Sequence, residues 1–174
     1  MPNQPNQPNP TNQPNPSSHI ALSFDRDEWE MIVTLPRRVL VAASAAEPAS
    51  AHRSVAEGLA GIEAIASGLG SPSPLVREVV GTIYAEAGHH AIDDPGDVGI
   101  LQTLAACRYA SEVLVQRCTT DDASAYRDWL HHIAAAVSGA ARGSPAAAQT
   151  DVPAGRVALA ENRFLYALGG VLRP

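Results

Sequence analysis

The chain contains no lysine: all twelve of its basic residues are arginine, in 174 residues of net charge −6. This excludes Schiff-base chemistry and the lysine of a phosphate-binding loop. The arginines are scattered, and only Arg37 and Arg38 are adjacent, so no basic stripe is available to track a nucleic acid. That pair reads as a helix-end cap or part of a solvated face. Cysteine is scarce. Cys107 and Cys118 stand eleven residues apart in one predicted helix. They are then about 16 Å apart, and a disulfide needs Cα atoms within about 7 Å. The two thiols are therefore expected to be small core residues of a reducing, cytoplasmic compartment. No apolar run approaches the ~18 residues of a bilayer-crossing helix, because proline, glycine or charge interrupts each candidate. A soluble chain without a membrane span is expected.

Residues 1–18 have neither charge nor any apolar side chain after Met1, and hold six of the fourteen prolines. Such a segment cannot bury enough surface to offset its ordering entropy, so a disordered Pro/Asn/Gln-rich tail is expected. It lacks the basic start and apolar core of a signal peptide. Residues 19–174 suit one domain.

What is present is alanine and apolar spacing of three and four, with little β-branched alternation. The fold class expected is all-α, a single-domain bundle of about six helices. The first helix is predicted from Asp25 to Ala46, with Asp25 and Glu28 as a capping box, Phe24 as a staple partner for Trp29, and a kink or split at Pro36. The second runs from Ser54 to Gly68. Ser54 and Glu57 form its capping box, Leu59, Ile62 and Ile65 line one face, and Gly68, Gly70 and Pro72 end it. Ser73-Pro74 opens the third, which ends near Gly88. The turn cluster Asp93–Asp97 starts a fourth that runs to Cys118. Residues Thr119 to Asp122 cap a fifth carrying Tyr126, Trp129, Leu130, Ile133 and Val137. Residues 139–156 read as a flexible loop, and the last helix spans Val157 to Leu172 with Phe164, Leu165, Leu168 and Val171 inward. The theme that opens at Trp29 and restarts at Ser54 recurs at Trp129 and Val157, which predicts two pseudo-repeated helix–loop–helix halves packed on one another.

The residues with most chemistry are Glu86 and His89, a Glu-x-x-His spacing that puts carboxylate and imidazole on one helical face. Asp128 and His131 repeat it with a shorter acid. Di-metal bundles use two such pairs with further glutamates, for which Glu57, Glu63 and Glu112 are available. The competing reading makes His89, His90, His131 and His132 helix-end caps or wet surface residues. Asp93–Asp97 carries carboxylates for a hard cation but lacks the alternating ligands and distant glutamate of a calcium loop, so a solvated N-cap is the simpler reading. Gly68-Leu69-Gly70 follows a helix rather than a strand, the wrong setting for a phosphate cradle. No Gly-x-Ser-x-Gly elbow occurs, and neither cysteine has a nucleophile signature. Trp29 and Trp129 read as core anchors whose indole N–H groups need partners, or else as platforms for a binding partner.

The run Phe24-Asp25-Arg26-Asp27-Glu28-Trp29-Glu30, followed by Pro36 and Ala42-Ala43, resembles the opening of a group of bacterial helical proteins. Tyr126-Arg127, Trp129-Leu130, Ile133, and then Val157 to Glu161 before Leu165 and Leu168 resemble the closing part. The pattern is similar to the tellurite-resistance TerB-like helical fold, over about residues 24–172. The resemblance implies Ala-rich helices ending in Asp-Gly turns and an acidic metal-binding surface. This chain has Ala46-Glu47-Pro48 and Arg142-Gly143 at those turns, so no ligand carries over.

The function expected is a non-enzymatic protein-interaction module that binds another protein or itself as a homo-oligomer. The alternative is a metal-binding bundle using Glu86, His89, Asp128 and His131, with a divalent metal as its one conceivable cofactor. A third possibility is that the tail or the Leu165–Pro174 segment is a docking peptide, with Leu168, Val171 and Leu172 then exposed.

Overall fold

A computed structural model describes residues 18–21, 23–46, 51–86, 99–143 and 154–173. They form α1 (Ser18–Ala21), α2 (Arg26–Ala45), α3 (Ala51–Ser67) followed by a 3₁₀ turn (Gly68–Gly70), α4 (Pro74–Glu86), α5 (Ile100–Arg117), α6 (Thr120–Gly143) and α7 (Ala154–Val171). Among the described residues there is no strand, and the helices share one apolar core. The all-α single-domain bundle expected from the spacing is what forms. The predicted tail lies outside the described residues but for Ser18, which opens the single turn α1.

α6 carries much of the packing between helices. Its broadest contact is with α3, followed by one with α2. The two tryptophans are not equivalent. Trp29 lies half-buried at the start of α2, whereas Trp129 is buried in the middle of α6.

The start of α2 is set locally. The Glu28 backbone N–H donates to Asp25 Oδ1 at 2.8 Å, and the Asp25 N–H donates to Glu28 Oε2 at 3.0 Å. This is the reciprocal capping box, which satisfies two donors that the first turn leaves without helical partners. Phe24 and Trp29, the residues before the cap and at the fourth helical position, meet with ring centroids 5.7 Å apart, as a hydrophobic staple requires. Glu28 Oε1 also accepts from Arg117 Nη2 at 3.0 Å, which ties the start of α2 to the end of α5.

Of the kink or split expected at Pro36, the split does not occur: α2 is continuous through it. A proline at this position cannot donate to the carbonyl of Ile32, four residues back. The carbonyl finds another donor. Tyr126 of α6, fully buried, donates its hydroxyl to Ile32 O at 2.7 Å. The buried acceptor is thus satisfied from across the core, and the helix tolerates the proline.

α3 starts at Ala51, so Ser54 lies within the helix and is not its N-cap. The helix turns its small residues inward. A Cβ on Gly61 would lie 2.5 Å from Leu40 Cγ and 3.0 Å from Val137 Cγ2, and one on Gly68 would lie 2.9 Å from the Trp129 indole. Gly68 is needed for this close approach, because no described glycine has positive φ. At the end of α3 the Ala64 carbonyl accepts from Trp129 Nε1 at 3.1 Å and from Ser67 Oγ at 2.7 Å. Trp129 thus anchors the core and caps α3 through its indole.

Ser73 and Pro74 open α4 as predicted, with the Val76 N–H reaching Ser73 Oγ at 3.4 Å. The same hydroxyl donates to Asp122 Oδ1 at 2.6 Å, which joins the N-terminus of α4 to that of α6. Thr119 caps α6, accepting from the Asp122 N–H at 3.2 Å. α6 runs to Gly143 and α7 begins at Ala154, so the predicted loop 139–156 is helical at both ends. Ala140 and Ala141 favour continuation enough to carry the helix past Gly139. The rest of that loop, 144–153, lies outside the described residues, as does Asp93–Asp97. Phe164 and Leu168 of α7 are buried, as is Leu172 just after it, and Leu165 and Val171 are partly so, which makes this segment core rather than an exposed docking peptide.

Candidate functional site

Amphipathic helices normally bury their larger apolar side chains. α3 does the reverse. Leu59 and Ile62, expected inward, are 57% and 56% exposed, and Val55 is 72% exposed; only Ile65 of the predicted face is buried. The inner face is Glu57, Gly61, Ala64, Ile65 and Gly68. α3 lies so close to α6 and Leu40 that bulk cannot fit between them, and the two faces exchange roles. Leu69 in the following turn is 54% exposed. Large apolar side chains therefore stand out over the length of the helix.

The metal candidates are not gathered among the described residues. Glu86 is exposed at the last residue of α4, and His89 lies outside the described residues. Asp128 and His131 are both exposed on α6. Asp128 Oδ2 is 3.5 Å from Ser124 Oγ, and the His131 ring lies over Gly169 of α7. Glu57 is buried, while Glu63 and Glu112 are exposed, the latter paired with Arg108 at 3.4 Å. Among the described residues no three or more His, Cys, Asp or Glu side chains come together to hold an ion.

The surface of the described residues includes two grooves. One of about 560 Å³ runs between α5 and α7, its walls including Arg108, Ser111, Glu112 and Arg173. Ser111 is buried there, and its hydroxyl has no hydrogen-bond partner among the described residues. The other, of about 410 Å³, lies at the start of α2 beside Asp25, Asp27, Glu28 and Tyr109. Neither described lining includes a thiol or an imidazole. Sequence reasoning did not find the first groove, since it arises where two distant segments lie side by side.

The thiols are unsuited to nucleophilic work. Both cysteines are free. Burial pushes Cys107 up to about 12 against a small opposing pull from Arg38. Burial, assisted by the negative charge of Asp122, pushes Cys118 up to about 11. Burial also holds the Tyr126 phenol well above its ordinary range, with the nearby Cys107 adding to the effect. All three remain protonated near neutral pH, and Tyr126 acts as the donor its bond to Ile32 requires. No helix among the described residues is long and apolar enough to cross a membrane.

No protein family, no curated protein and no solved structure matches this chain.

Proposed function

We infer that the chain is a non-enzymatic protein-interaction module, and that the outer face of α3 is its contact surface. The observation that carries this reading is the outward bulk of α3: Val55, Leu59 and Ile62 are each more than half exposed, while Gly61, Ala64 and Gly68 face the core with Glu57 and Ile65. Scattered surface leucines need no explanation, but aligned large apolar side chains on one helix make a continuous patch, and such patches mark association sites. A helix face of this kind is read by apolar anchors at i, i+3, i+4 and i+7.

The test places a photoreactive residue at Leu59 in the cells that make the protein, with Asp128 on the opposite helix as the control position. A single defined protein adduct from position 59, and none from 128, is the expected result. No adduct from position 59 would remove the reading, and so would metal-dependent turnover by the purified chain.

A further inference from the structure

We propose that the occupant of the α3 face is a second copy of this chain, so that the protein forms an isologous dimer through α3. The proposal rests on the reading of that face as a contact surface and names what it contacts.

The first argument is spacing. Val55, Leu59, Ile62, Ala66 and Leu69 follow one another in steps of four, three, four and three. This is the repeat of a coiled-coil seam, which fits another helix carrying the same repeat. A two-fold axis sets one patch against its own copy, so a seam is self-complementary without any further device. The positions beside the seam are small. Ala56 and Gly58 flank Val55 and Leu59, and a Cβ on Gly58 would meet nothing within 4 Å. A second helix can therefore approach closely.

The second argument is charge. The chain carries a net charge of −6, yet on the described outward face of α3 the one charged residue is Glu63. Two acidic molecules meet at lowest electrostatic cost where carboxylates are fewest. The same face offers no described arginine to an acidic peptide or an anionic lipid headgroup, and one carboxylate is a thin target for a basic partner. A near-neutral apolar seam fits a near-neutral apolar seam, and the chain itself supplies one.

The third argument is area. A helix of 17 residues is about 25 Å long and about 10–12 Å across. One such helix on each side presents a footprint of about 250–300 Å², which puts the contact at the small, transient end of specific association. Association is therefore expected to be weak, and the dimer should be visible by its concentration dependence.

Sedimentation velocity on the purified full chain, from about 1 to about 300 µM, reads this directly. The expected result is a rise from the 18.2 kDa monomer towards twice that mass. The double variant Leu59→Glu/Ile62→Glu should weaken association at least about tenfold, with far-UV circular dichroism unchanged and Tm little changed at about 1 µM, where both chains are monomeric, because both side chains are more than half exposed in the monomer. Leu59→Ser/Ile62→Ser serves the same purpose should the charged pair disturb folding. Leu101→Glu on α5, also highly exposed, should leave the dimer intact. A chain that stays monomeric at the highest concentration overturns the proposal, as does a dimer that survives both double variants. A monomeric chain that binds neutral phosphatidylcholine vesicles through α3 overturns it too. If the purified chain is monomeric but position 59 crosslinks in cells to a different protein, self-pairing fails and the contact-surface reading stands. If position 59 yields no adduct at all and the chain is monomeric, both fail.

Discussion

Tyr126→Phe isolates the bond that lets α2 pass through Pro36. The substitution keeps the ring, and with it the edge contact to Trp129 at a centroid distance of 5.8 Å, and removes the hydroxyl that donates to Ile32 O at 2.7 Å. The carbonyl then loses its cross-core donor in a site that water does not reach, at a cost of about 1–3 kcal/mol. Pro36→Ala provides an internal control. An alanine at position 36 returns an N–H to the same carbonyl by the ordinary i→i−4 bond. In that background Tyr126→Phe should be milder by about 1 kcal/mol, a coupling of the size expected for two residues that share one acceptor. Guanidinium unfolding followed by far-UV circular dichroism gives all four stabilities, with unchanged slopes as the sign that the fold is retained. A loss below about 0.5 kcal/mol for Tyr126→Phe, or the same loss with and without the proline, would refute the argument.

Two glycines should respond with opposite signs. Gly68→Ala drives a methyl group to within 2.9 Å of the Trp129 indole and 2.8 Å of Val80 Cγ2, so thermal unfolding should show a loss of about 1–3 kcal/mol. Gly81→Ala, exposed on α4 with nothing within 4 Å of the new carbon, should gain up to about 1 kcal/mol. The alkaline limb of stability should be steep. The Cys107 thiol is raised from its ordinary value of 9.0 to about 12, so the folded chain holds a proton that the unfolded chain releases. Its contribution is complete below pH 9 and declines as pH rises towards 12, with roughly 1 kcal/mol lost by pH 10. Cys118 and Tyr126 act in the same direction. Urea unfolding at pH 8 and pH 10 measures the loss, which should shrink in Cys107→Ala; equal stability at the two pH values would contradict it.

The parts legible in the sequence are those whose partners lie within a turn or two. The Asp25–Glu28 capping box, the Phe24–Trp29 staple, the Ser73-Pro74 opening and the Thr119 cap each close over five residues or fewer, so spacing alone identifies them. The candidate site was less legible. Glu-x-x-His spacing says that two side chains share a helix face, not that two such faces converge. Asp128 and His131 turn out exposed on α6, Glu86 ends α4 in solvent, and His89 lies outside the described residues.

From the residue order alone follow the helical class, the Asp25, Ser73 and Thr119 caps, and the impossibility of a Cys107–Cys118 bridge, because each depends on local geometry and on the rise of a helix. Only the packed structure decided that α2 survives Pro36 and that α3 shows its bulky side to solvent. The first needs a tyrosine from ninety-four residues away. The second needs two glycines pressed against Leu40, Val137 and Trp129. Periodicity marks a stripe on a helix, but which stripe faces inward depends on how near the neighbouring helix comes, and that distance is set by residues remote in the chain.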